Sequence, residues 1–343
     1  MSKEQKTILL TFDYELFLGK DSGSVNDCLI NPTNAIVKVL DRYKAKGIFF
    51  VDCTYLVELK KVAEKYDVAF EDYKLINSQL RSLIKQGHYI YPHIHPHWVD
   101  AVYNADKNSW TLTNLEKYSF ANLSLSLQQQ IFSNALDLLQ AELGSKEHPV
   151  MLNAYRAGGW SIQPFSHFKP LFEKYKVSAD FSVLGGSKIV SDAQRFDFTK
   201  ICENATPYNF ENEVDEPLTD GTFTEFPINS IVFNKKSLLN RVLLKVLWRT
   251  AFGQSMGKGV GVSPEVLHEN IAYNKNFQML SVELLTHLNL SKYKNYLNQN
   301  DYMQFVSHPK MISKYNLKVL SKLLNHADRK FECNYNWIHY LAK

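Results

Sequence analysis

The chain has 343 residues, 45% hydrophobic and 22% charged, with a formal net charge of +4. That composition belongs to a folded globular protein and excludes a disordered or collagen-like chain. The charge is mild and forms no basic block, which argues against nucleic acid as a partner, and no segment has the apolar length to span a bilayer.

Strand and helix signals alternate from the N-terminus. Residues 6–12 form a short β-rich run that is too brief for a signal-peptide core and ends in acids, so a cytoplasmic protein is expected. A Gly/Ser/Asn loop over 19–31 follows. Pro32 then opens a helix through Ala45, with Ile36, Val37 and Leu40 on its apolar face and Gly47 as its stop. Residues 48–51 read as a buried parallel strand, 75–86 as a helix capped by Gly87, and 89–94 as the next strand. Residues 125–143 form an amphipathic helix ending at Gly144. Strand 150–155, helix 164–175, strand 177–183 and strand 302–306 complete the pattern.

This order implies an α/β fold, a parallel sheet covered by helices that is either open or closed into a (β/α) barrel. No linker divides the chain, so a single domain over 1–343 is expected, with a less regular helical insertion around 235–275. Within it, 238–252 reads as a basic amphipathic helix (Arg241, Lys245, Arg249), either one that packs on the fold with its charged side in water or a membrane-surface or docking helix. The glycines of 253–261 lack the spacing of a phosphate loop. The four cysteines (Cys28, Cys53, Cys202, Cys333) are scattered and contain no CxxC pair, as reduced thiols would be.

The chemistry-bearing residues all fall at predicted strand C-termini, where such sheets place their active sites. HIHPHW sets His93, His95 and His97 at alternating positions, and neutral imidazole is a common ligand for divalent transition metals. In TFDYE, Asp13 and Glu15 are two apart on a strand end and share a face. Their mutual repulsion is relieved by a cation, and a His, His, carboxylate set with open positions activates water. Arg156 and His308 end two further strands.

These residues resemble the polysaccharide deacetylases of carbohydrate esterase family 4. Thr11-Phe12-Asp13-Tyr14-Glu15 is similar to the family's first motif. His93 and His97 match its pair of histidines four apart, preceded by Gly87-His88-Tyr89-Ile90. Tyr155-Arg156-Ala157-Gly158-Gly159-Trp160 is similar to its arginine motif, Asp180-Phe181-Ser182-Val183 to its DSS segment, and Glu225-Phe226-Pro227 to a later strand end. Ser307-His308-Pro309 resembles the final motif. The matches run in family order from residue 7 to about 310.

The resemblance implies a distorted (β/α) barrel and a metal-dependent hydrolase that removes an acetyl group from an N-acetylated sugar. His93, His97 and Glu15 would bind the metal, Asp13 would be the general base, Arg156 would hold Asp13 ionised, and His308 would protonate the leaving amine. Asp-Tyr-Glu replaces the commoner adjacent Asp-Asp, so Asp13 and Glu15 exchange roles in an alternative assignment. His95 is an alternative ligand or an outer partner, and the family's acidic partner for the final histidine is not evident in the sequence. Zinc is the default metal, with cobalt, nickel and iron as alternatives. Trp98 and Trp160 are expected to contact the sugar, and 99–122, with Tyr103 and Trp110, to form a substrate lid. The substrate would be an N-acetylated sugar or short glycan, nucleotide- or lipid-linked, from surface-polysaccharide biosynthesis. The alternative is a catalytically inactive relative that binds sugar or scaffolds glycan assembly.

Overall fold

The computed structural model describes residues 3–145, 150–191, 193–232, 254–261 and 277–340. The basic helix expected at 238–252 lies outside the described residues, as does most of the insertion around 235–275.

Strand β1 (Gln5–Tyr14) is followed by α1 (Asn31–Arg42), β2 (Gly47–Asp52), α2 (Cys53–Ala63), α3 (Asp67–Lys85) and β3 (Tyr89–Ile94). A small hairpin, β4 (Val102–Asn104) and β5 (Ser109–Thr111), precedes α4 (Leu125–Leu143), β6 (Ala154–Ala157), α5 (Lys169–Tyr175) and β7 (Ala179–Asp180). Short strands β8 (Lys188–Val190), β9 (Arg195–Asp197), β10 (Tyr208–Phe210), β11 (Phe223–Glu225), β12 (Ser230–Val232) and β13 (Phe277–Met279) come next. The chain ends in α6 (Leu290–Gln299), β14 (Tyr302–Ser307), α7 (Lys314–Lys330) and β15 (Glu332–Asn334).

The main sheet runs β10-β11-β7-β6-β3-β2-β1-β14, with β15 also on β1. Every pairing in it is parallel except β10 with β11. Its two end strands do not pair with each other, so the expected barrel is a curled, open sheet. The end strand β10 is antiparallel and pairs with β11, whereas β14 at the other end pairs with β1.

Period-two alternation places the site. Along β1, Ile8, Leu10 and Phe12 join the large core beneath the helices, whereas Leu9 joins a smaller cluster with Ile48, Phe50, Tyr91, Ala154, Ala179, Phe181, Phe226, Tyr302 and Trp337. That smaller cluster fills the inside of the curl. Continuing each inner face by two residues reaches polar groups, among them Thr11 and Asp13 after Leu9, Asp52 after Phe50, His93 after Tyr91, and Arg156 after Ala154. Each inner face therefore changes from apolar to ionisable near its strand's C-terminal end.

Local capping sharpens these ends. Asp52 closes β2 and accepts the Tyr55 N–H at 3.3 Å, so α2 begins with no intervening loop. Ser313 and Asn316 form a reciprocal capping box at the start of α7, which directs the chain away just after His308.

Candidate metal centre

Arg156 organises the floor of the site. Its Nη1 donates to Asp13 Oδ1 at 2.6 Å, its Nη2 to Thr11 Oγ1 at 2.8 Å, and its Nε to the Phe181 carbonyl at 2.9 Å. The guanidinium lies 4.3 Å from the Phe50 ring centroid. All its nitrogens thus have partners in a place closed to water, as a buried charge requires. Burial opposes ionisation of Asp13, but Arg156, His93 and His308 together hold its carboxyl below the ordinary value.

Glu15, His93 and His95 are all buried, and their ligand atoms lie within 4.8 Å of one another. Glu15 Oε2 is 3.3 Å from His93 Nε2 and 2.8 Å from His95 Nε2, yet it takes part in no hydrogen bond. His93 Nδ1 lies 2.8 Å from the Arg156 carbonyl, which only accepts, so Nδ1 carries the proton and Nε2 turns its lone pair toward Glu15. A carboxylate oxygen and an imidazole lone pair facing each other need positive charge between them. One oxygen and two imidazole nitrogens are a donor set suited to a divalent transition metal, and this buried triad has the composition to hold one. Consistent with that need, burial opposes protonation of His93, but Asp13 and Glu15 raise its pKa.

The alternative ligand, His95, is the one the structure brings to Glu15, and His97 is not in the group. The physical reason is the strand. His93 and His95 are two apart on β3 and its extension, and so share a face. Pro96 then starts a 3-10 turn that takes His97 off this face, its ring 5.6 Å from that of His95 and its nitrogens outside the group. The His97 ring packs 5.0 Å from Tyr118, both its nitrogens are buried without partners, and burial with neighbouring His95 pushes its pKa down to about 3. Gly158 is required beside His95, because a Cβ there would lie 2.3 Å from the Ile94 carbonyl oxygen and 2.8 Å from His95 Nδ1.

His308 stands on the open side, its side chain 23% exposed, with Nε2 3.7 Å from Asp13 Oδ2 and 3.6 Å from Glu15 Oε1. Glu283 is the acidic partner the sequence left unassigned. Its Oε1 lies 2.9 Å from His308 Nδ1 and its Oε2 accepts the His308 N–H at 3.2 Å. Burial disfavours the imidazolium, but Glu283, Glu15 and Asp13 raise the pKa of His308.

Two expectations about aromatic residues divide. Trp98 has no exposed surface; its indole N–H donates to Asp52 at 2.5 Å and its ring packs on Tyr55 and Trp110. It offers no face to a sugar, which corrects its assignment as a substrate contact. Trp160, in the 3-10 turn after β6, stays partly exposed beside Phe196. The expected lid is docked rather than free. The Trp110 carbonyl accepts from Ser22 N at 3.0 Å, Leu112 N donates to the Gly19 carbonyl at 2.7 Å, and the segment's contribution to the site is Tyr118.

Sequence reading missed Lys310, Glu283, Asp52 and Tyr118. Lys310, buried, donates to Glu15 Oε1 at 2.8 Å. Burial opposes ionisation of Glu15, but Lys310 and His95 hold it well below the ordinary carboxyl range. A lysine two residues past a strand-end histidine carries no sequence signal of its own, and only the fold brings it to Glu15.

No family model matches the sequence, and no curated protein matches it. Among solved structures, the chain is similar to one described as a polysaccharide deacetylase from Mycobacterium smegmatis, with TM-score 0.48 and 13% identity over 100% of this chain and 92% of that one. It is also similar to Puue allantoinase, with TM-score 0.45 and 9% identity over 98% and 88% of the two chains. A third is a 4-alpha-glucanotransferase from Thermococcus litoralis, with TM-score 0.45 and 12% identity over 99% of this chain and 40% of that one. No helix among the described residues is long and apolar enough to cross a membrane.

Proposed function

We propose that the protein is a metal-dependent hydrolase that removes the acetyl group from an N-acetylated sugar used in surface-polysaccharide biosynthesis. The observation that carries this reading is Glu15 Oε2, a buried carboxylate oxygen without a hydrogen bond that faces the Nε2 atoms of His93 and His95. The order of sequence motifs resembling deacetylases supports the substrate class.

Glu15, His93 and His95 would hold a divalent cation, which would supply Lewis acidity toward the acyl carbonyl and toward water. The remaining work falls to the chain. Arg156 occupies Asp13 Oδ1 and keeps the carboxyl ionised, leaving Oδ2 to take a proton from the attacking water. The water oxygen bonds to the acyl carbon, and the carbon–nitrogen bond breaks. His308, kept protonated by Glu283, gives its proton to the departing amine from the open side of the site. The products are acetate and a free amino sugar. Trp160 provides the partly exposed ring for the sugar face.

The test is metal uptake by the purified protein, followed by acetate release from a panel of N-acetylated sugars. Asp13→Asn should abolish release while leaving metal uptake intact. A wild-type protein that takes up no divalent metal at neutral pH would rule the hydrolase out. One that binds metal but releases no acetate from any sugar in the panel would point to a sugar-binding or scaffold role.

A further inference from the structure

Lys310 is 5% exposed, and a buried ammonium persists only where its donors are occupied. Its Nζ donates to Glu15 Oε1 at 2.8 Å and to the Leu16 carbonyl at 2.5 Å, and it lies 5.2 Å from the Phe17 ring centroid.

Residues 254–261 run beside it as a strap whose bare backbone at Gly257 and Gly259 comes closest. Gly257 N–H donates to the Lys310 carbonyl at 2.9 Å and Met256 N–H to that of Ile312 at 3.0 Å. The approach is close enough to demand glycine: a Cβ on Gly257 would lie 2.7 Å from the Lys310 carbonyl oxygen and 2.8 Å from its Cβ. On Gly259 it would lie 2.4 Å from the Phe17 ring. The glycines that failed as a phosphate loop thus have a use, which is to let main chain lie flat on Lys310 and Phe17.

The two oxygens of Glu15 consequently have different surroundings. Oε1 is held by Lys310, whereas Oε2 faces His93 and His95. A carboxylate with both oxygens free can chelate a cation through two bonds, and one whose outer oxygen is already bound to an ammonium presents a single oxygen. We infer that Lys310 is a positioning residue that restricts Glu15 to one-oxygen metal ligation, with the 254–261 strap beside it. The inference rests on the metal-centre reading above and extends it from which residues bind to how one of them is made to bind.

Cobalt(II) loaded into the full-length protein reads this directly, because its visible absorption falls as coordination number rises. The wild type should take up cobalt with the strong absorption of a four-coordinate ion. In Lys310→Met, Oε1 is released to join the metal, and the absorption should fall as a ligand is gained. Gly257→Val should shift the spectrum in the same direction by displacing Lys310 from the strap side, and it decides the matter if Lys310→Met does not fold. Bound cobalt whose spectrum survives both substitutions overturns the role of Lys310 alone. A wild-type protein that binds no cobalt overturns the metal centre and this inference together.

Discussion

Asp13 Oδ1 and Arg156 Nη1 meet at 2.6 Å although β2 and β3 lie between their strands in the sheet. In a flat sheet, strands three places apart stand about 14 Å from each other. The contact exists because the sheet curls and both side chains point to its concave side. It therefore joins the curvature of the fold to the ionisation of the proposed base.

Arg156→Met should be severely destabilising. It leaves Asp13 buried without its cation and removes donors from Thr11 and the Phe181 carbonyl. The expected loss is about 3–5 kcal/mol, read by equilibrium urea unfolding. Arg156→Lys should recover only part of it, because an ammonium cannot reproduce the three-way fork.

His95→Ala and His97→Ala should behave differently in metal titrations. Loss of His95 removes a member of the Glu15 cluster and should weaken affinity at least as much as an outer partner would, about 10–100-fold. Loss of His97 should leave affinity within about three-fold, since its nitrogens lie outside the cluster and a factor of three is under 1 kcal/mol. The reverse ranking would restore the four-apart histidine pair as the ligand set.

Trp98→Phe should lower stability without weakening sugar binding. The substitution deletes the donor to buried Asp52, whose carboxyl burial already pushes upward, and thins the contact with Tyr55 and Trp110. A cost of about 1–3 kcal/mol follows from leaving that acceptor unpaired. Thermal unfolding and a Michaelis constant measured on the same sample separate the two effects.

Acid should weaken the fold through His88. Its Nδ1 accepts the Gly47 N–H at 3.0 Å, so the folded state needs neutral imidazole. Burial, with Lys46 nearby, lowers its pKa from 6.5 to about 4. The unfolded chain thus binds the proton more readily between those values. Stability from this group is complete above pH 6.5 and is lost as pH falls toward 4. His88→Gln should flatten that part of the stability–pH curve by on the order of 1–3 kcal/mol, measured by unfolding at pH 7 and 4.5.

The buried strands were legible because burial on both sides leaves largely apolar runs, unbroken at 48–51 and interrupted only by Gln304 at 302–306. Helix α2 was not, because β2 runs into it with Asp52 serving as both last strand residue and cap. Helix α3 extends back to Asp67, eight residues before the expected start at 75. Strand β6 sits at Ala154–Ala157 rather than 150–155, its extent set by β3 and β7 rather than by its own composition. In the site, Asp13, Glu15, Arg156 and His308 were readable from strand ends. The choice between His95 and His97 was not, since it depends on where β3 yields to the Pro96 turn. Lys310 and Glu283 gain meaning only from contacts made across the fold.

Strand β1 and the residue that follows it supply the two acids, yet β1 pairs with β14, whose residues Tyr302–Ser307 lie opposite Thr7–Phe12. β1 must therefore wait for β14, which is synthesised long after it. Neither His308 nor Lys310 can reach Glu15 until that part of the chain has emerged, and a product terminated before it carries the two acids and three histidines without the residues that complete the cluster. Closure of the Glu15 cluster is thereby tied to synthesis through Lys310, 295 residues after Glu15.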